Sequence, residues 1–177
     1  MSRIEDSLVL SLAGRSKASR FPPLLYAAAP LAAILFQVYV PRFLDALSYL
    51  ELPLLVAIYF ALMRRKPASG AFIGCVIGLA QDALSPHPLG MNGISKTLSC
   101  YFAASLSLRF DVENTILRFI LGFFFYLFHQ FFFWSLSRGL LGQQAQFQIP
   151  QTVISAFLNA VIAAALFSFL DRFRRED

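Results

Sequence analysis

Six apolar segments dominate this sequence, and the charges between them fall in short clusters. The segments cover about residues 24–40, 44–63, 68–84, 89–108, 115–137 and 152–170. A helix rises about 1.5 Å per residue, so about twenty apolar residues cross a hydrocarbon layer about 30 Å thick. Six such crossings with short connections use nearly all of the 177 residues. The expected fold is therefore an all-α integral membrane protein. It forms a six-transmembrane-helix bundle within a single polytopic domain, residues 1–177.

Composition supports this and narrows the function classes. Charged residues make up 14% of the chain, where a soluble domain carries roughly a quarter. Twenty phenylalanines are far more than one small aqueous core needs. The formal charge of +5 does not point to nucleic acid, because the basic residues sit in loops between apolar segments. Cys75 and Cys100 lie inside apolar segments, with no CxxC and no Cys/His spacing suited to a metal. No cofactor is expected.

The basic residues also set the orientation. Arg3, Arg15, Lys17 and Arg20 precede the first segment, and Arg64, Arg65 and Lys66 follow the second. Arg109 and Arg118 border the fourth connection, and Arg172, Arg174 and Arg175 follow the sixth segment. The alternate connections hold only Arg42 and Arg138. Cytoplasmic loops are the ones enriched in Lys and Arg, so both termini are assigned to the cytoplasm. The same count allows segments three and four to form a re-entrant pair. Ahead of the first segment, Ile4, Leu8 and Leu12 recur at spacings of four and could lie along the membrane surface. The second segment is irregular: Asp45, Glu51 and Pro53 interrupt it. It is expected to be kinked at Pro53 or to begin in the outer interface.

Polar residues inside membrane segments are costly and suggest function. Under the topology above, Gln37, Asp82, Asn92, Lys96, His129, Gln130 and Asn159 all fall in the outer half of the bilayer. They are read as a polar pocket or partner-binding cavity facing the periplasm, with Asp82 and Lys96 as an ion pair. The competing reading is that these groups only hydrogen-bond to one another and hold the bundle together. Gly70, Gly74 and Gly78 recur every four residues in the third segment, a spacing that lets another helix approach closely, inside this chain or from a partner. His87, between two prolines, is read as part of a turn.

The stretch from Gly74 to Gly93, GCVIGLAQDALSPHPLGMNG, resembles the signature of the MreD family of rod shape-determining proteins. Gly78, Leu79, Asp82, Leu89 and Gly90 match its elements: a hydrophobic helix ending in G-L-x-x-D, a turn, then L-G and a further helix. Pro53 to Arg65, PLLVAIYFALMRR, resembles the family's second helix and basic exit. Gln81 and Lys96 depart from the usual pattern. The resemblance implies a non-enzymatic component of the bacterial cell-elongation machinery at the inner membrane. Its implied partners are an MreC-like protein, the side-wall glycosyltransferase with its class B penicillin-binding protein, the actin-like MreB and membrane lipids.

The residues themselves show no nucleophile–base pair, phosphate-cradling loop or metal spacing. Two candidate contact surfaces follow for a membrane scaffold. One is the glycine stripe; the other is the aromatic face of the fifth segment, with Phe123, Phe124, Phe125, Phe128, Phe131, Phe132, Phe133 and Trp134. Lipid contact competes with partner contact for those aromatics. A second function is a small substrate-binding subunit like those of energy-coupling-factor vitamin transporters, its polar residues binding a small molecule. A third is a lipid-processing enzyme using Asp82 and His129.

Overall fold

A computed structural model of the chain describes residues 21–40, 45–86, 88–142 and 146–173. The amino-terminal patch, Arg42, His87, Arg174 and Arg175 lie outside the described residues. Among the described residues, six α-helices follow in order: α1 Pro23–Tyr39, α2 Leu52–Arg64, α3 Pro67–Leu84, α4 Met91–Leu106, α5 Thr115–Leu141 and α6 Ile149–Asp171. A 3-10 helix, Asp45–Tyr49, precedes α2. No strand occurs among the described residues.

The sequence fixes most helix starts through proline. α1, α2, α3 and α6 each carry one in their first two positions, where the missing N–H costs nothing and the fixed φ favours the helix. α5 begins differently: the Asn114 side chain accepts from the Ile116 amide at 2.8 Å, a helix cap. It ends at Gly142 with φ 62°, the left-handed turn that glycine adopts without strain.

The second segment is neither a continuous helix nor one kinked at Pro53. It breaks at Glu51, and α2 starts beyond the break. Nor is α2 marginal. All eleven residues from Pro53 to Met63 are buried, making α2 the axis of the bundle, in contact with α1, α3, α4 and α6.

α3 and α4 form an antiparallel hairpin with the most extensive contact in the fold. The glycine stripe makes it possible. A Cβ on Gly70 would lie 2.6 Å from the Cys100 carbonyl oxygen, and one on Gly78 2.5 Å from that of Asn92. One on Gly74 would enter the Lys96 carbonyl. The stripe is therefore sealed against α4 and is not a free surface for a partner. Gly122 plays the same role between α5 and α6: a Cβ there would lie 2.7 Å from that of Ala163.

The outward faces are apolar. Phe72, Ile116 and Ile154 are each about 70% exposed. The stretches Leu47–Arg64, Pro67–Leu84, Thr115–Leu141 and Ile149–Asp171 are long and apolar enough to cross a membrane. α1 is apolar but shorter, and α4 has 16 residues that include buried Asn92, Ser95, Lys96 and Ser99.

Replacing Gly74 or Gly78 with alanine pushes a methyl into the α4 backbone. Each substitution is expected to cost about 1–3 kcal/mol, read as a lower unfolding midpoint in detergent. Gly139 has open space around it, so Gly139→Ala should leave the midpoint unchanged or slightly raised.

Candidate functional site

The α3–α4 turn is organised by one carboxylate. Asp82, near the end of α3 and 2% exposed, accepts the amides of Gly90 at 2.9 Å, Asn92 at 3.1 Å and Gly93 at 3.1 Å. It also accepts the Asn92 side-chain Nδ2 at 2.9 Å. The first amides of a helix lack intrahelical acceptors and carry the positive end of its dipole. Asp82 thus caps α4 from another helix. Gly90, with φ 98°, supplies the left-handed bend that aims those amides at it.

Asp82 and Lys96 do not form the expected ion pair. The Asp82 oxygens are occupied by N–H groups, and Asn92 stands between the two residues. While its Nδ2 donates to Asp82, its Oδ1 accepts from Lys96 Nζ at 2.7 Å. The charge partner of Lys96 is Glu51, with Nζ to Oε2 at 3.5 Å. His129 Nε2 lies 3.2 Å from the same ammonium. An ammonium has three donors and no acceptor, so Nε2 accepts and the neutral ring carries its proton on Nδ1. Lys96 is fully buried, and its three donors face three acceptors.

Asn159 joins this network through the backbone. Its Oδ1 accepts the Glu51 amide at 2.9 Å, and its Nδ2 donates to the carbonyls of Tyr49 and Ser155, both at 2.8 Å. These bonds satisfy the backbone where the 3-10 helix gives way to α2. Of the residues the sequence singled out, Asp82, Gly90, Asn92, Lys96 and His129 come together directly, and Asn159 through Glu51. Gly74 and Gly78 serve the hairpin contact instead.

Sequence reasoning missed Glu51 in this network and Gln81 in the cavity beside it. Glu51 counted only as an irregularity of the second segment, and Gln81 only as a departure from the family pattern. The need of a buried lysine for a counter-charge was the available signal, since Glu51 is the one carboxylate that interrupts an apolar run immediately before a proline-marked helix start.

Beside the network lies a partly enclosed cavity of about 440 Å³. Gln37, Glu51, Gln81, Ser85, Asn92 and His129 contribute its polar walls. A neighbouring, more open cavity of about 380 Å³ shares Gln130 and Phe133 with it. Among the described residues, no group of three His, Cys, Asp or Glu could hold a metal ion.

A helical bundle with apolar outward faces, four of its stretches long and apolar enough to cross a membrane, defines a multi-pass membrane protein. The family described as rod shape-determining protein MreD matches residues 20–173, and the chain belongs to that family. Comparisons with curated proteins and with solved structures return no match.

The Glu51–Lys96 pair can be measured by a double-mutant cycle. Lys96→Met alone leaves a partly buried carboxylate, 17% exposed, unmatched and is expected to cost about 2–3 kcal/mol, less than for a fully buried pair. The double variant Glu51→Gln/Lys96→Met should cost clearly less than the sum of the singles. Additive costs in an unfolding titration would show that the two charges are not coupled.

Proposed function

We propose that this protein is a non-enzymatic component of the cell-elongation complex in the bacterial inner membrane, where it helps maintain rod shape. In this reading it binds an MreC-like protein and the side-wall glycosyltransferase with its class B penicillin-binding protein, and it meets MreB on the cytoplasmic side. The observation that carries the proposal is the family match across residues 20–173. The arrangement of the polar groups supports it: Asp82, Asn92, Lys96 and Asn159 are each engaged in bonds that hold helices together.

The topology belongs to the same proposal: six crossings, both termini cytoplasmic, and the Lys96 network at the periplasmic end. The Arg64–Lys66 turn and the Arg118 region lie at the opposite end. Arg118 is buried there, with Nη1 2.6 Å from Asp171 Oδ2 and Nε donating to the Val112 carbonyl at 2.8 Å.

With the glycine stripe sealed inside, the contact surface moves to the aromatic face of α5. Phe124 and Phe131 are each about half exposed and lie seven residues apart, on one side of the helix. Neighbouring Phe125 is fully buried and belongs to the core.

Affinity isolation of tagged protein from native membranes should recover MreC-like and synthase chains. Recovery is expected to fall several-fold in Phe124→Ala/Phe131→Ala with expression unchanged, while undiminished recovery would move the contact off this face. Recovery of an ATPase module in place of those chains would overturn the proposal in favour of a transporter subunit.

Topology is tested separately with a membrane-impermeant maleimide. Gln148→Cys should react in intact cells, whereas Lys66→Cys should react only after permeabilisation. The reverse pattern would invert the assigned orientation.

A further inference from the structure

Folded proteins rarely leave buried polar atoms without a partner, and each exception calls for an explanation. Five such atoms occur among the described residues: Gln37 Oε1, Glu51 Oε2, Gln81 Oε1, Ser85 Oγ and His129 Nδ1. They come from α1, the start of α2, the end of α3, the residue after it and α5. All five residues line the same 440 Å³ cavity. Glu51 Oε2 already has the Lys96 ammonium at 3.5 Å; the other four atoms lie just under the cavity wall with almost no accessible surface of their own, and reach an occupant once their side chains turn toward it.

We infer that this cavity is a binding site for a small uncharged group bearing hydroxyls and an amide. Its size falls in the range of ordinary small-molecule sites. Charge decides the class of ligand. The Glu51 carboxylate is already matched by Lys96 at 3.5 Å, so a cation would find no free counter-charge. The donors of Lys96 already face Asn92, His129 and Glu51, so an anion would meet mainly acceptor oxygens. What remains is neutral and mixed. Two glutamine amide oxygens call for ligand donors, His129 Nδ1–H calls for an acceptor, and Ser85 serves either. Val38, Leu84 and Phe133 supply apolar walls against which a sugar-like ring can rest.

Such a group could be free in the aqueous phase or could be the headgroup of a glycolipid. The competing occupant is water, about 15 molecules at liquid density. The site does not depend on the elongation-complex reading, because its test uses the protein alone.

The test is native mass spectrometry of the full chain in phospholipid nanodiscs free of sugar detergents. Free N-acetylglucosamine probes the aqueous source, and glucosyl-diacylglycerol in the disc probes the headgroup source. The expected result is a saturable one-to-one adduct with at least one of them, weakened at least tenfold by Gln81→Leu and by Gln37→Leu. The two substitutions lie on different helices, and each removes an unpaired buried amide, so each variant is expected to unfold at or above the wild-type midpoint. No saturable adduct with either probe, or adducts undiminished in the folded variants, would mean a water-filled basin and overturn the inference. Tighter binding of arginine methyl ester or N-acetylglucosamine 6-phosphate than of either neutral probe would overturn the assigned class.

Discussion

A fully buried ammonium governs the architecture at one end of this bundle. Lys96 cannot shed its charge cost by reaching solvent, so the fold must bring acceptors to it. It does so from three directions: Asn92 one turn earlier in α4, His129 from α5, and Glu51 from the start of α2. Each acceptor is held in turn. Asp82 on α3 fixes Asn92, and Asn159 on α6 fixes the Glu51 backbone. One chain of polar contacts thus runs through five helices. Its role is selection. In lipid, an apolar helix face gains little by meeting another apolar face in place of acyl chains. Hydrophobicity therefore does not dictate which faces meet, whereas a charge that must be paired does.

Close packing completes what the polar chain begins. Gly70, Gly74 and Gly78 let α4 rest on the backbone of α3, and Gly122 with Ala160 and Ala163 does the same for α5 and α6. At the opposite end, Asp171 closes the bundle by accepting from Tyr59 Oη at 2.8 Å while pairing with Arg118. That small cluster ties α2, α5 and α6 where the Lys96 network does not reach. Between the two polar ends the core is aromatic and aliphatic, with Tyr59, Phe60 and Phe167 fully buried around α2.

The helices were legible in the sequence as apolar runs of spanning length, while their exact ends were set by residues that the runs do not single out. Prolines 23, 53, 67 and 150 mark starts, and Gly142 marks an end. The polar residues were also legible as a set, since counting 1.5 Å per residue places them at similar depth. Their pairing was not. Depth says that Asp82 and Lys96 are level, but which carboxylate faces the ammonium depends on how each helix is rotated about its axis. The sequence also understated Asp82: a carboxylate beside a turn reads as a charge in search of a cation, yet the free amides of Gly90, Asn92 and Gly93 satisfy it. The burial of α2 was hidden for a related reason. Glu51 and Pro53 look like defects in a membrane span, while in three dimensions they mark where a core helix begins and where its charge is used.

This division of polar groups bears on function. Those that hold the bundle together (Asp82, Asn92, Lys96, Asn159) have partners for their donors and acceptors. Folding alone explains them. The unpaired groups at the cavity are different, because an unpaired buried Gln81 or His129 atom costs stability in the isolated fold. Apolar replacements at those positions would remove that cost, and the surrounding bundle has apolar residues in abundance. Amides and an imidazole therefore make physical sense there only if something polar meets them. The rigid network fixes three sides of that space, with Glu51, Asn92 and His129 each part of both the network and the wall. The contacts that select the fold thus also shape the wall of the cavity.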